Sequence, residues 1–178
     1  MSIDPKAFRR TVGQFVTGVT VIAADIEGST RGMTANAFTS LSLDPPLVLF
    51  CVAKRAHLGQ LIHLASGFSV NILTQEHQSL STYFAGGWKE PEPPPFSFEP
   101  WQGGPKLAGI SAALGCAVET IHEGGDHFIV VGRVLALYHR EPPMAPLVFN
   151  AGRYATLAEP AVTDNVAIGS ATEMNRHC

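Results

Sequence analysis

Between Gly18 and Asn150 the chain passes through about six or seven short runs of strand character, and the helices between them are too short to serve as parallel crossovers. That feature excludes a doubly wound α/β fold and leaves a mainly β, antiparallel sheet closed as a barrel, with short peripheral helices. Gly18–Ala24 (GVTVIAA) is rich in β-branched residues and reads as a strand that turns at Glu27-Gly28. Thr30–Leu43 returns as a second strand with a break in it. Asp44-Pro45-Pro46 stops it, because proline has no N–H for a ladder and restricts the residue before it. Leu47–Ala53 (LVLFCVA) is a continuous apolar run, expected as a strand buried on both faces. Phe68–Leu73 is another strand, and Ala113–His122 should pair with His127–Tyr138 across Glu123-Gly124-Gly125-Asp126. Pro146–Asn150 supplies a last short strand.

The chain opens as a helix, with Asp4 as cap, Pro5 in the first turn, and Phe8, Val12 and Phe15 on one face before Gly18 ends it. Ala56–Ala65 and Gln75–Phe84 read as short helices. The stretch Gly86–Gly104 carries Pro91, Pro93, Pro94, Pro95 and Pro100, so it should be irregular, with Trp88 and Trp101 anchoring it by packing. Residues 1–160 read as one domain, and 161–178, small and polar, as a mobile tail.

Only 15% of the 178 residues are charged and 46% are hydrophobic, which leaves little charge to cover a monomer and points to a homodimer or larger assembly. Twelve basic against fifteen acidic residues give −3, which argues against a nucleic-acid protein relying on a basic field. Cys51, Cys116 and Cys178 form neither a disulfide framework nor a zinc knuckle, so a reducing compartment fits. The first residues hold no apolar signal segment, and no apolar run reaches about 18 residues. The expectation is a soluble cytoplasmic protein with no membrane partner. Cys116, Met33 and Phe38 are expected in the core.

No glycine-rich nucleotide loop and no Gly-x-Ser-x-Gly elbow is present. The unusual stretch is Arg31–Pro46 (RGMTANAFTSLSLDPP), which sets Thr34, Asn36, Thr39, Ser40 and Ser42 among Ala, Phe and Leu. Small hydroxyl and amide groups close to the backbone suit the edge of a flat heterocycle. The residues alone equally allow a Ser/Thr-rich edge strand leading to a turn. Lys54, Arg55 and His57 form a compact basic cluster at a helix start, and read alone they equally suit a solvated surface. His122 and His127 flank the hairpin turn with Asp126 between them, but no third ligand is evident, so no metal site is expected. His63 and His77 are expected to face solvent.

Several segments, taken together and in order, resemble the short-chain flavin reductase family. They are FRRTVGQFVTGVTVI (Phe8–Ile22), GMTANAFTSLSLDPPLVLFCV (Gly32–Val52), SGFSVNIL (Ser66–Leu73), Phe84-Ala85, GDHFIVVGRV (Gly125–Val134) and PLVFNAGRY (Pro146–Tyr154). The resemblance covers roughly residues 5–155 and implies a flavin-binding split β-barrel, normally a homodimer, with FMN or FAD near the subunit interface. It implies that Thr34, Ala35 and Asn36 line the isoalloxazine edge and that Thr39, Ser40 and Ser42 serve the same site, the serines towards the ribityl or phosphate end. Cys51, Val52 and Ala53 would continue along the flavin, Lys54 would face its phosphate, and Phe84 would wall the site. His127 would lie at the reactive face where nicotinamide docks, with Arg153 and Tyr154 near the nicotinamide nucleotide. One departure stands out: where the family pattern has Ser-x-Thr after the basic position, this chain has Ala56 and Leu58, so Arg55 and His57 are the substitutes within reach in sequence.

The implied activity is transfer of hydride from NADH, or NADPH, to FMN or FAD, with the reduced flavin supplied to a partner monooxygenase. A flavin-bound reductase of a corrinoid or ferric complex, a flavin-binding electron carrier, and a barrel for some other planar ligand remain open from the sequence.

Overall fold

The computed structural model describes residues 3–157. The tail expected at 161–178, and Cys178 with it, lies outside the described residues. The elements run α1 (Pro5–Val12), β1 (Thr17–Gly18), β2 (Thr20–Ile26), β3 (Ser29–Ala35), β4 (Phe38–Leu43), β5 (Pro46–Ala53), α2 (His57–Leu61), β6 (Gly67–Ile72), α3 (Gln78–Phe84), β7 (Phe98–Glu99), β8 (Lys106–Leu107), β9 (Ala112–Gly124), β10 (His127–His139), β11 (Val148–Asn150) and β12 (Arg153–Ala155). One-turn 3₁₀ segments extend α2 and precede α3.

Seven strands form one antiparallel sheet in the order β3-β2-β6-β9-β10-β5-β4. Its two edge strands, β3 and β4, are neighbours in the chain, joined only through Asn36-Ala37. The sheet must therefore curl to bring its edges together, and a backbone bond from the Cys51 N–H to Ala37 O (3.0 Å) ties that junction to β5. The break expected in Thr30–Leu43 is this junction. A three-stranded sheet β1-β11-β12 and the ribbon β7-β8 complete the architecture.

The main core holds Ile22, Phe50, Val52, Phe68, Val70 and Val130, with Met33 and Phe38 packed against it. Cys116 is fully buried there as expected, and burial pushes its thiol up to about 12. A second cluster of Val19, Val21, Leu73, Leu107, Ile110 and Leu147 seals the end under β11. Between them Asn71 is fully buried and satisfied: its amide donates to Val21 O (3.0 Å) and Ser69 Oγ (2.8 Å), and its carbonyl accepts from the Leu107 N–H (2.8 Å).

Several elements depart from the sequence reading. α1 stops at Val12, where the Gly13 N–H caps it on Arg9 O, because Thr17–Gly18 is taken up by pairing with Phe149 and Val148. Phe15 therefore lies beyond the helix, and no residue of α1 is buried. β5 is not buried on both faces: Val48, Phe50 and Val52 point into the core, while Leu47, Leu49, Cys51 and Ala53 are only partly covered. The Pro-rich stretch is irregular except for Phe98–Glu99, which pairs with Lys106–Leu107. The Trp88 indole N–H donates to Glu92 O (2.8 Å), and Trp101 packs on the second core. His63 is exposed, but His77 is half-buried and its Nδ1 accepts from the Thr74 N–H (3.3 Å).

Candidate active site

Directly opposed residues of an antiparallel pair project to the same face of the sheet. β4 sets Thr39 opposite Leu49 and, after a bulge at Leu41, Ser42 opposite Leu47. β10 sets Ile129 opposite Cys51 and His127 opposite Ala53. Thr39, Ser42, Leu49, Cys51, Ala53 and His127 therefore share one face, the partly covered face of β5. The bulge matters: without it Leu41, not Ser42, would stand on this face.

This face opens on a cleft of about 890 Å³. Asn36, Ala37, Thr39, Leu49 and Cys51 line one side of it, and Phe8, Val12, Phe15 and Val16 from the N-terminal segment line the other. Its surface is largely apolar, with few polar groups, as suits a flat aromatic ligand.

The β9–β10 turn carries the next feature. Gly125 (φ +70°) lets the hairpin close in two residues, and the Lys54 N–H donates to Asp126 O (3.0 Å), which fastens the turn to the end of β5. His127 Nδ1 lies 2.7 Å from Asp126 Oδ1. That contact with His127 holds the Asp126 carboxyl below its usual range, so it is ionised at neutral pH and orients the ring. The Lys54 ammonium pairs with Glu123 and stands 5.2 Å from the centre of the Phe128 ring. His122 stands opposite Ile129 and so on the same face, with its Nε2 2.5 Å from Thr120 Oγ1. Among the described residues no three His, Cys, Asp or Glu side chains cluster as a metal site would require.

The remaining expected site residues divide. Val52 is 1% exposed and Ala35 is 6% exposed; both side chains belong to the core, which leaves only their backbone for a ligand. Ser40 stands opposite Val48 and so on the other face from Thr39. The Thr34 hydroxyl donates to Ser81 O (2.7 Å) and fixes α3 to β3. Arg55 is exposed. His57 and Phe84 meet in a second pocket of about 480 Å³ beside β3, with Arg31 and Gly32. The Tyr154 hydroxyl donates to Ser81 Oγ (2.9 Å), and Arg153 is exposed on β12, next to Gly152 at the cleft. Sequence reasoning assigned no role to Leu49, Arg31 or the apolar residues of α1. The period-2 pattern of β5 was the available signal for Leu49, hidden because both of its faces are apolar.

A family model described as "Flavin reductase like domain" matches residues 12–158. This chain belongs to the flavin reductase like family. Among relatives, it is 40% identical to the reductase subunit HsaB of a flavin-dependent monooxygenase from Mycobacterium tuberculosis, over 90% of this chain and 86% of that protein. Among solved structures, the flavin reductase PheA2 superposes with a TM-score of 0.83 at 38% identity, covering 88% of this chain and all of the other. The NADH:FAD oxidoreductase SgcE6 of Streptomyces globisporus, solved with NAD and FAD fragments, gives 0.79 at 36% identity, covering 90% and 99%. These neighbours have the split-barrel fold that the strand order here describes. As a flavin reductase family member the chain is an oxidoreductase by kinship, and no described helix is long and apolar enough to cross a membrane.

Proposed function

We propose that this protein is an NADH-dependent flavin reductase that uses FMN or FAD and supplies reduced flavin to a separate monooxygenase component. The observation that carries the reading is the shared face of β4, β5 and β10. Leu49 and Cys51 floor the cleft, Asn36 and Thr39 rim it, and Ser42, Ala53 and His127 continue the same face beyond its lining. A flat ring with a hydrogen-bonding edge fits a floor and rim of that kind. Bound flavin supplies the hydride-accepting ring system, and NADH supplies the hydride. Asn36 offers donors and an acceptor to the ring edge, and Thr39 and Ser42 offer hydroxyls beside it. His127, held by Asp126 through Nδ1, keeps Nε2 for a ligand at the open end. The apolar N-terminal segment forms the other wall of the cleft.

The exposed apolar residues of that segment support a homodimer, in which a second copy covers them. The names of relatives, as reductase subunits of monooxygenases, support an oxygenase partner. The unpaired Cys51 and Cys116 suit the reducing cytoplasm. The test is absorbance-monitored oxidation of NADH with FMN or FAD in excess, under argon and then in air. Bleaching of the flavin under argon is the expected result and shows which flavin is preferred. No turnover, with flavin bound and still yellow, would overturn the reductase reading in favour of a carrier.

A further inference from the structure

Resting on that reading, we infer that Arg31 and His57 grip the phosphate of the flavin nucleotide in the second pocket, beside the free edge of β3. Arg31 comes from β3 and His57 from the first residue of α2, and none of the described residues lining the pocket is acidic. Arg31 Nε is buried and has no hydrogen-bond partner, and Arg31 enters no ion pair among the described residues. A buried guanidinium N–H without an acceptor is a standing cost, and a phosphate relieves it. The planar fork of arginine matches phosphate oxygens two at a time.

The opposite wall is apolar. The Phe84 ring lies against Gly32, where a Cβ would meet ring carbon at 2.6 Å, and Phe96 and Phe98 pack behind it. Charge is thus confined to one side of the pocket. The second pocket is also tied to the cleft through the backbone. β5 ends at Ala53 on the cleft face, and His57 follows after a short turn, a span of at most about 14 Å.

Leu58 strengthens the inference. It lines the pocket, but its side chain is 2% exposed and apolar, so the position where the family pattern has a hydroxyl offers a phosphate no hydrogen bond here. An anion bound beside α2 would have His57 from that helix and Arg31 from β3 beside it.

The test is affinity for FMN, FAD and riboflavin, read from flavin fluorescence, in the wild-type protein and in R31Q, R31K and H57Q, with melting temperature and the KM for NADH recorded alongside. Wild type is expected to bind FMN much more tightly than riboflavin. R31Q should lose about tenfold to a hundredfold in FMN affinity, with riboflavin affinity unmoved. R31K should recover part of the loss. H57Q, changed at an exposed position, should show a smaller loss of the same kind. Equal losses for FMN and riboflavin, or no loss, would overturn the inference even if the protein reduces flavin. So would an effect confined to the KM for NADH, which would move the grip to the nicotinamide nucleotide. A wild-type protein that binds none of the three flavins overturns the reductase reading itself.

Discussion

At the scale of single residues, the informative contrast is between neighbours on one strand. Cys51 and Val52 read alike in the sequence, both apolar in an apolar run, yet one floors the cleft and the other fills the core. Nothing local separates them; only the pairing with β10 decides which face is which. Asn36, Thr39 and His127 enter the expected site through the resemblance, since read alone the polar run equally allows an edge strand and His127 a hairpin flank. Arg31 was not legible, because a lone arginine at a strand start resembles any solvated charge. His127 carries the sharpest expectation at this scale. Because its ring is oriented by Asp126 at the open end of the site, His127→Ala should slow flavin reduction by NADH about tenfold to a hundredfold and leave flavin affinity near wild type. Rapid-mixing reduction with pre-bound flavin, set against equilibrium titration, separates the two. Matching losses in both would reduce His127 to a structural residue.

At the scale of elements, the strands were legible from β-branched runs and prolines, while their partners were not. Asn71 shows why. In SGFSVNIL it reads as a polar interruption of a strand, but two of its three hydrogen bonds make it the staple joining β6 to β2 and β8. Asn71→Ala would strand the Leu107 N–H without its acceptor and empty a polar site. It should cost about 2–4 kcal/mol in denaturant unfolding at unchanged m-value. His77, at the entry to α3, gives a pH-dependent counterpart. Burial holds its pKa below the ordinary 6.5. As pH falls through that value the unfolded chain takes up a proton that the folded chain resists, so stability from this group is present above it and lost below. Melting temperatures across pH 5 to 8, the range in which histidine titrates, should fall on the acid side less steeply for His77→Gln than for wild type.

The whole molecule turns on what α1 does not do. Phe8 and Val12 of α1 stay more than half exposed and Phe15 beyond it is 77% exposed, which supports the proposed second copy as their cover. The low charge content raises the expectation of an assembly, and in the homodimer we propose the interface runs along the outer wall of the cleft. The protein should sediment as a dimer, and its melting temperature should rise with protein concentration. Phe15→Ser should lower both the dimer fraction and flavin affinity, since one wall would serve both. A clean monomer at micromolar concentration, with flavin bound, would separate the two roles. Closure of the barrel itself was legible only as a class, because the sequence shows strands and turns but not that β3 and β4 end up at opposite edges of one sheet.

The pairing of β5 with β10 has a consequence during synthesis. Cys51 leaves the ribosome roughly 80 residues before Ile129, its partner, and at about 5–20 residues per second that interval is on the order of 4 to 16 seconds. For that time the most apolar strand in the chain has only β4 beside it, and its other edge is open. A nascent chain of this kind is sticky in the middle of its own translation, and shielding by a ribosome-associated chaperone would act on this strand first.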